Sequence, residues 1–480
     1  MSQSSATRAF LWSFLEQGGA KVVQMVVQIV LARLLAPDAF GLLAVLLVVT
    51  NIADSIAQSG FGTALIQKGD ADNVSYDTAF WLSMGIALVI YGAIYALAPA
   101  LASFYDMRDL LPTLRVLSLV VLFNAANSIQ RSYMQKHMDF KGLFQVSIIA
   151  ALVSGVIGVA SAAMQFGSWA LVIQVLSQSI FTCLVMLAVV PWKPHFRFRK
   201  TDAIELYKYG WKICVTGILN VLYSGISELI LGKTCSSAEL GYYSQGRKYP
   251  NAAIGVANNA IANVLFPALS EVRDDHRRLY DRVHRGLVIG TFITAPLSLW
   301  AASIASPIVE LLLGQDWLAC VPIFALTCAS NVFVILQVVN LRVYMAYGRS
   351  DLYMNLQILK VAASIIGIGG TAYLTHNIYC TAFATFFVGI FNVLCIDLAP
   401  AKRLYGYSAL RQLRDIAPSL SAAFIAFLGA SLISILGLTP VLELLFQTII
   451  FMAIYYGLAR LTKMYALYAS INQLRTLIGR

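Results

Sequence analysis

The sequence predicts an all-α integral membrane protein of about 14 transmembrane helices: two parallel six-helix repeats related by a pseudo-two-fold axis along the membrane normal, then two C-terminal helices. Three observations predict it. The 480 residues are 59% hydrophobic and only 12% charged, with a mean hydropathy of +0.74; this is too apolar for a water-soluble globule. Apolar runs of about 20 residues recur along the chain, the length a helix needs to cross a bilayer while satisfying its own backbone groups. Finally, LARLLAPDAFG at residues 31–41 returns as LGKTCSSAELG at 231–241, with a cation (Arg33, Lys233), a turn acid (Asp38, Glu239) and a closing glycine in each.

The duplication continues in order: Asn51 pairs with Asn251, Pro99 with Pro307, Pro112 with Pro322, Arg131 with Arg342 and Asp139 with Asp351. The apolar runs lie near residues 10–34, 40–60, 79–103, 113–134, 143–164, 168–190, 207–232, 246–270, 286–306, 320–346, 352–374, 377–398, 416–436 and 440–460. Six spans per repeat is an even number, so both repeats enter the membrane the same way up. The domains expected are an N-lobe at 1–191, a basic linker at 192–206, a C-lobe at 207–400, and a last helix pair with its tail at 401–480.

Charge sets the topology. Of the 34 Lys and Arg, 22 fall in loops and tails on one side and only Arg108 and Lys233 in the loops opposite, which puts both termini in the cytoplasm. The formal net charge of +11 is therefore a membrane signature, and no nucleic-acid partner is expected. Residues 1–7 are polar and the apolar run after them carries Glu16 and Lys21 with no small-residue cleavage site, so no cleavable signal is expected. Seven scattered cysteines without a CxxC pair suggest neither a metal site nor a disulfide framework. There is no Walker A pattern, nucleophile elbow or zinc helix, and no external loop exceeds about a dozen residues. No enzyme and no cofactor is expected.

Within the spans, polar residues keep helical spacing. Gln17, Lys21, Gln24 and Gln28 share one face of span one, beside Glu16. Such a stripe is costly in hydrocarbon unless it lines a cavity or joins helices. Span seven repeats the design with Lys212, Thr216, Asn220 and Ser224, then Ser227 and Glu228. Asn51, Asp54 and Gln58 share a face of span two; Arg247, Lys248, Asn251, Asn258 and Asn263 mark span eight; Asn124, Asn127 and Arg131 mark span four, answered by Asn340 and Arg342. Asp54 reads either as a proton or cation site or as a buried partner for Lys21 or Arg33. Arg131 reads either as part of this polar face or as a cation snorkelling to the headgroups.

Between the halves, WKPHFRFRKTD at 192–202 interleaves basic and aromatic residues; after a span on the cytoplasmic side it suits anionic headgroups. RDDHRRLYDRVHR at 273–285 spaces Asp274 with Arg278, Arg277 with Asp281 and Asp281 with Arg285 as a solvated helix would. Trp81, Trp169, Trp211, Trp300 and Trp317 fall near span ends, as interfacial anchors do.

Taken in order from about residue 5 to 400, LARLLAPDAFGLLAV, SGFGTALIQKGD, FGSWALVIQ, ELGYYSQGRKYPN, LFPALSEVRDD and GQDWLACVPI resemble the polysaccharide transport family, especially the colanic-acid and O-antigen-unit flippases, within the multidrug/oligosaccharidyl-lipid/polysaccharide exporter superfamily. The resemblance implies two lobes that rock between inward-open and outward-open states in a bacterial inner membrane. It also implies a cargo: an undecaprenyl-diphosphate-linked oligosaccharide, moved from the cytoplasmic to the periplasmic leaflet. The residues fit that cargo, since a diphosphate needs cations and sugars need amides and hydroxyls. The expected substrate contacts are Lys21, Gln24, Gln28, Arg33, Lys212, Asn220, Arg247, Lys248 and Asn251, with Asp54 and Glu228 as ion-coupling candidates. Relatives often carry an Arg and an Asp before the second turn; Ser224 and Ser227 stand there instead, so a mechanism built on that pair does not transfer. Expected partners are the lipid-linked oligosaccharide, membrane lipids and polysaccharide polymerase or chain-length machinery, with a monomer sufficient. The alternatives are a cation-coupled multidrug or small-solute exporter, a membrane polysaccharide polymerase or ligase, and an assembly scaffold.

Overall fold

The structure, a computed structural model, describes residues 3–272 and 275–468. The side chains of Glu16 and Gln17, the Asp274–Arg278 pair and the tail cations beyond 468 lie outside the described residues. Twenty α-helices follow in order: α1 Gln3–Leu34, α2 Pro37–Gln58, α3 Phe61–Gln67, α4 Asn73–Tyr105, α5 Leu110–Leu117, α6 Val120–Lys136, α7 Phe140–Ala163, α8 Ser168–Val189, α9 Lys200–Thr234, α10 Ser237–Ser270, α11 His276–Ser303, α12 Ala305–Leu312, α13 Val321–Asn331, α14 Val334–Ala346, α15 Ser350–Ser364, α16 Gly370–Thr375, α17 Ile378–Phe391, α18 Ala401–Tyr405, α19 Ala409–Ser431 and α20 Pro440–Leu461. Two short π-helical segments, Ile365–Gly369 and Asn392–Asp397, interrupt the eleventh and twelfth apolar runs.

Among the described residues, twelve helices are long and apolar enough to cross a membrane, and thirteen if the pair Gln315–Asn331 and Val334–Ala346, bent by 42°, is one span. That is fewer than the fourteen expected. Helix α1 is not among the twelve, because Lys21, Gln24 and Gln28 dilute its apolar face. The chain is a multi-pass membrane protein.

Side-chain caps set the helix starts. Asp72 accepts from the Ser75 amide at 2.9 Å and Asp139 from the Gly142 amide at 2.9 Å, each quieting an orphan N–H of a first turn. The turn acid of the second repeat motif is structural too: the Glu239 carboxylate accepts from the Ser236 amide at 2.9 Å while the Ser236 hydroxyl accepts from the Glu239 amide at 3.3 Å, a capping box. In the first motif Pro37 opens the helix instead.

The chain divides into two compact units, Met1–Gly241 and Tyr242–Arg480. In the first, α1 packs along α7, α7 along α8, and α2 along α9. Helix α9, the seventh span, thus packs within the unit that holds spans one to six. The repeat motifs meet here. A Cβ built on Gly41 would stand 1.8 Å from the Ser237 carbonyl oxygen, and one built on Gly241 would stand 1.9 Å from that of Pro37. The contact is reciprocal at an offset of 200 residues, and only glycine fits either place.

The linker is docked. Trp192 is buried, the Trp81 indole donates to the His195 carbonyl at 2.8 Å, and the His195 amide donates to Asp77 at 3.1 Å. Arg199 pairs with Asp72 at 2.8 Å and Asp202 with Lys68 at 3.1 Å. Phe196 stacks on Trp81 at 4.3 Å yet stays 90% exposed.

In the second unit, α11 packs along α19 and α19 along α20. Ala422, Ala426 and Ala430 let the last two helices close around Phe451 and Tyr455. Asn340, expected to answer the polar face of span four, is instead fully buried and bonded to Gln412 at 2.8 Å. At the start of α11 the ion pairs are Arg278 with Asp275 and Arg282 with Glu271, rather than Arg277–Asp281 and Asp281–Arg285. Trp317, expected as an interfacial anchor, is 1% exposed and set edge-on to Tyr242.

Candidate functional site

In the first unit, α2, α6, α8 and α9 surround a cavity of about 490 Å³, in the roughly 300–1,000 Å³ range of small-ligand sites. Gln58 lines it from α2, Asn124, Asn127 and Arg131 from α6, Gln178 and Thr182 from α8, and Gly217 from α9. Helical spacing explains the convergence: 124, 127 and 131 step by three and four, and 178 and 182 by four. Apolar residues on the opposite faces, among them Ile129, hold the helices against the core.

The Asn124 amide donates to Asp54 at 2.7 Å. Of the expected partners for Asp54, neither Lys21 nor Arg33 takes that place; a neutral amide does. Glu228 does not join it. Antiparallel packing sets Gly232 against Val45 and Gly225 against Val48, so Glu228 lies level with the first half of α2, about 10 Å along the axis from Asp54.

The other expected contacts divide. On α1, Lys21 and Arg33 are exposed and Gln24 is half-buried. Gln28 is buried and donates to Gln174 of α8 at 3.3 Å, so here the stripe joins helices. On α9, Lys212 and Asn220 are exposed, with the Lys212 ammonium 5.9 Å from the Trp211 ring. In the second unit, Arg247 lies over Tyr243 at 5.3 Å, Lys248 is exposed, and Asn251 accepts from Asn331 at 3.0 Å.

Sequence reasoning missed two features. Gln174 and Gln178 on α8 were legible as an i, i+4 amide pair in an otherwise apolar run. Lys360 and Asp397, both 0% exposed, form an ion pair at 3.1 Å in the second unit. Their signal was a lone Lys in one apolar run and a lone Asp closing the next, since charges at that depth require a partner.

The sequence profile of the family described as polysaccharide biosynthesis protein matches residues 30–322. The chain belongs to that family. Among similar proteins, the succinoglycan biosynthesis transport protein ExoT of Rhizobium meliloti (strain 1021) is 24% identical over 331 residues, covering 69% of this chain and 67% of that protein. The lipopolysaccharide biosynthesis protein WzxC of Escherichia coli (strain K12) is 25% identical over 356 residues, covering 73% and 72%. In fold, this family member is similar to the lipid II flippase MurJ in an inward closed conformation, with a TM-score of 0.75, 12% identity, and 94% and 99% of the two chains covered.

Proposed function

We propose that this chain is a flippase that moves polyprenyl-diphosphate-linked oligosaccharide repeat units from the cytoplasmic to the outer leaflet by alternating access, for an exported polysaccharide. Family membership carries this reading, because the matched relatives are named for polysaccharide transport and biosynthesis. The cavity adds the physical support: an amide- and hydroxyl-lined hollow within apolar helices has no use in packing and suits a polar head that crosses while its lipid tail stays in the bilayer. The reading involves no catalysis.

In this account both termini and the basic linker face the cytoplasm, and one chain suffices. Lys21, Arg33, Lys212, Arg247 and Lys248 attract the diphosphate, helped by Gln24, Asn220 and Asn251, while Asp54 and Glu228 are the carboxylates available for ion coupling. Polymerase or chain-length proteins would take up the delivered units.

Mass spectrometry of polyprenyl-diphosphate lipids from cells depleted of the protein, with leaflet sidedness probed in spheroplasts, tests the reading. One oligosaccharide-lipid should accumulate on the cytoplasmic side. If none accumulates while small-solute efflux falls, the chain is an exporter instead.

A further inference from the structure

We infer that the segment leading into α9 is a docking surface for anionic phospholipid: the rings of Phe196 and Phe198 enter the membrane interface, and Arg197 and Lys200 beside them take headgroup phosphates. This surface requires only that the chain spans a membrane, and it goes beyond the flippase reading without resting on it.

The contacts of the segment rank its residues by depth. From Asp72 to Trp81 the chain enters the membrane along about 14 Å of helix α4. Arg199 is held at the outer end of that stretch, by Asp72 at 2.8 Å and by the Thr78 hydroxyl, which accepts from its amide at 3.0 Å. His195 is held at the inner end, where its carbonyl accepts from the Trp81 indole at 2.8 Å. The segment therefore runs back along α4, with Phe196 toward the bilayer and Lys200 toward water. Helix α9 then enters beside α4 and parallel to it, since Asp202 accepts from the Ser75 hydroxyl at 2.8 Å near the start of each and Gly232 meets Tyr105 near the end. Counted from that first contact, Trp81 lies about 9 Å in and Trp211 about 14 Å in, a shared level that suits a tryptophan belt.

Burial separates the rings that hold the segment from those left over. Trp192 is buried beside Tyr76 and Phe80. Phe196 covers one face on Trp81 and Phe198 is 58% exposed. Exposed rings are ordinary when single, but two of them flanking an arginine at the depth of a tryptophan belt have the composition of an interfacial segment. Charge divides in the same way. Asp72 is engaged by Arg199, and Asp202 and Glu205 by Lys68. Arg197 and Lys200 are exposed and form no ion pair among the described residues. The same face continues into α9, where Asp202, Leu206 and Gly210 are buried at four-residue steps while Ile204 and Lys208 stay exposed. Cations alternating with rings along a segment fit a plane of headgroups, whereas one bound anion would need the cations to converge on a point.

The test places p-benzoylphenylalanine at position 196 of the full chain, reconstituted in phosphatidylcholine vesicles with about one-quarter phosphatidylglycerol, and identifies the photo-adducts by mass spectrometry. Phospholipid adducts should form, with phosphatidylglycerol exceeding its share of the lipid about threefold, and that excess should vanish at about 1 M salt, where screening shortens to about 3 Å. Arg197→Gln with Lys200→Gln, which leaves the Arg199 clamp in place, should remove the excess at low salt without lowering the total adduct yield. An absence of lipid adducts, or phosphatidylglycerol at no more than its bulk share, would overturn the docking surface. So would adducts chiefly to another protein when the same chain is irradiated in cell membranes, or adducts chiefly to undecaprenyl diphosphate when that lipid is added to the vesicles. None of these results bears on flipping, which the depletion experiment tests separately.

Discussion

Lys360 and Asp397 pose the sharpest test of a single contact. Two charges at 0% exposure are held there by each other, and removing one partner of a buried pair costs about 3–5 kcal/mol, whereas replacing both by apolar groups of similar volume is often neutral. Lys360→Met should therefore lower stability by about that amount, and Lys360→Met with Asp397→Leu should regain most of it, read by unfolding in detergent. A single variant as stable as the parent would contradict the buried pair. The linker's clamp answers to pH. Arg199 beside Asp72 holds that carboxyl down from 3.8 to about 2, so the contribution is fully present above pH ~4 and is lost as pH falls toward 2. Hydrogen exchange of residues 193–202 should stay slow down to about pH 3, and Asp72→Asn should already be fast at pH 5. These partners were hidden in the sequence because ion pairing joins residues far apart in the chain: that Arg199 finds Asp72 depends on how the linker folds back over α4, which no local pattern encodes.

The elements themselves were largely legible, since apolar runs and caps are local. Most expected spans coincide with helices, and those that differ do so where polar residues extend a helix past its apolar run, as at the starts of α4, α9 and α19. The break between α13 and α14 carries no proline or glycine, so no local signal marks it. The repeat motif was legible as a pattern but not in its purpose. Its glycines are the site of backbone-to-backbone contact between the two turns, where an added methyl meets a carbonyl that no rotamer change can move. Gly41→Ala and Gly241→Ala should each destabilise by about 1–3 kcal/mol. Gly92→Ala, where a Cβ meets nothing within 4 Å, should be neutral or stabilise by a few tenths. Thermal unfolding of the three variants side by side checks this; equal behaviour would mean that the turns do not press together.

For the molecule as a whole, class and family were readable from composition, duplication and motif order. The cavity was readable only in part. Asn124, Asn127 and Arg131 stood out on one face of a span, but which faces meet is decided by helix packing, and the stripe of α1 that looked most like a cavity wall uses Gln28 to bind α8. The exposed cations carry the account's view of the diphosphate: Lys21→Ala and Lys212→Ala should each reduce transport several-fold at equal protein level, and unchanged transport by both would remove them from the path. The measurement that bears most directly on the central claim is reconstitution. Full-length protein in proteoliposomes carrying the extracted oligosaccharide-lipid should expose the glycan of the inner leaflet to a membrane-impermeant lectin added outside, beyond the fraction seen in protein-free vesicles. Lectin access equal to that of protein-free vesicles, with the protein shown to be folded, would contradict flipping by this chain.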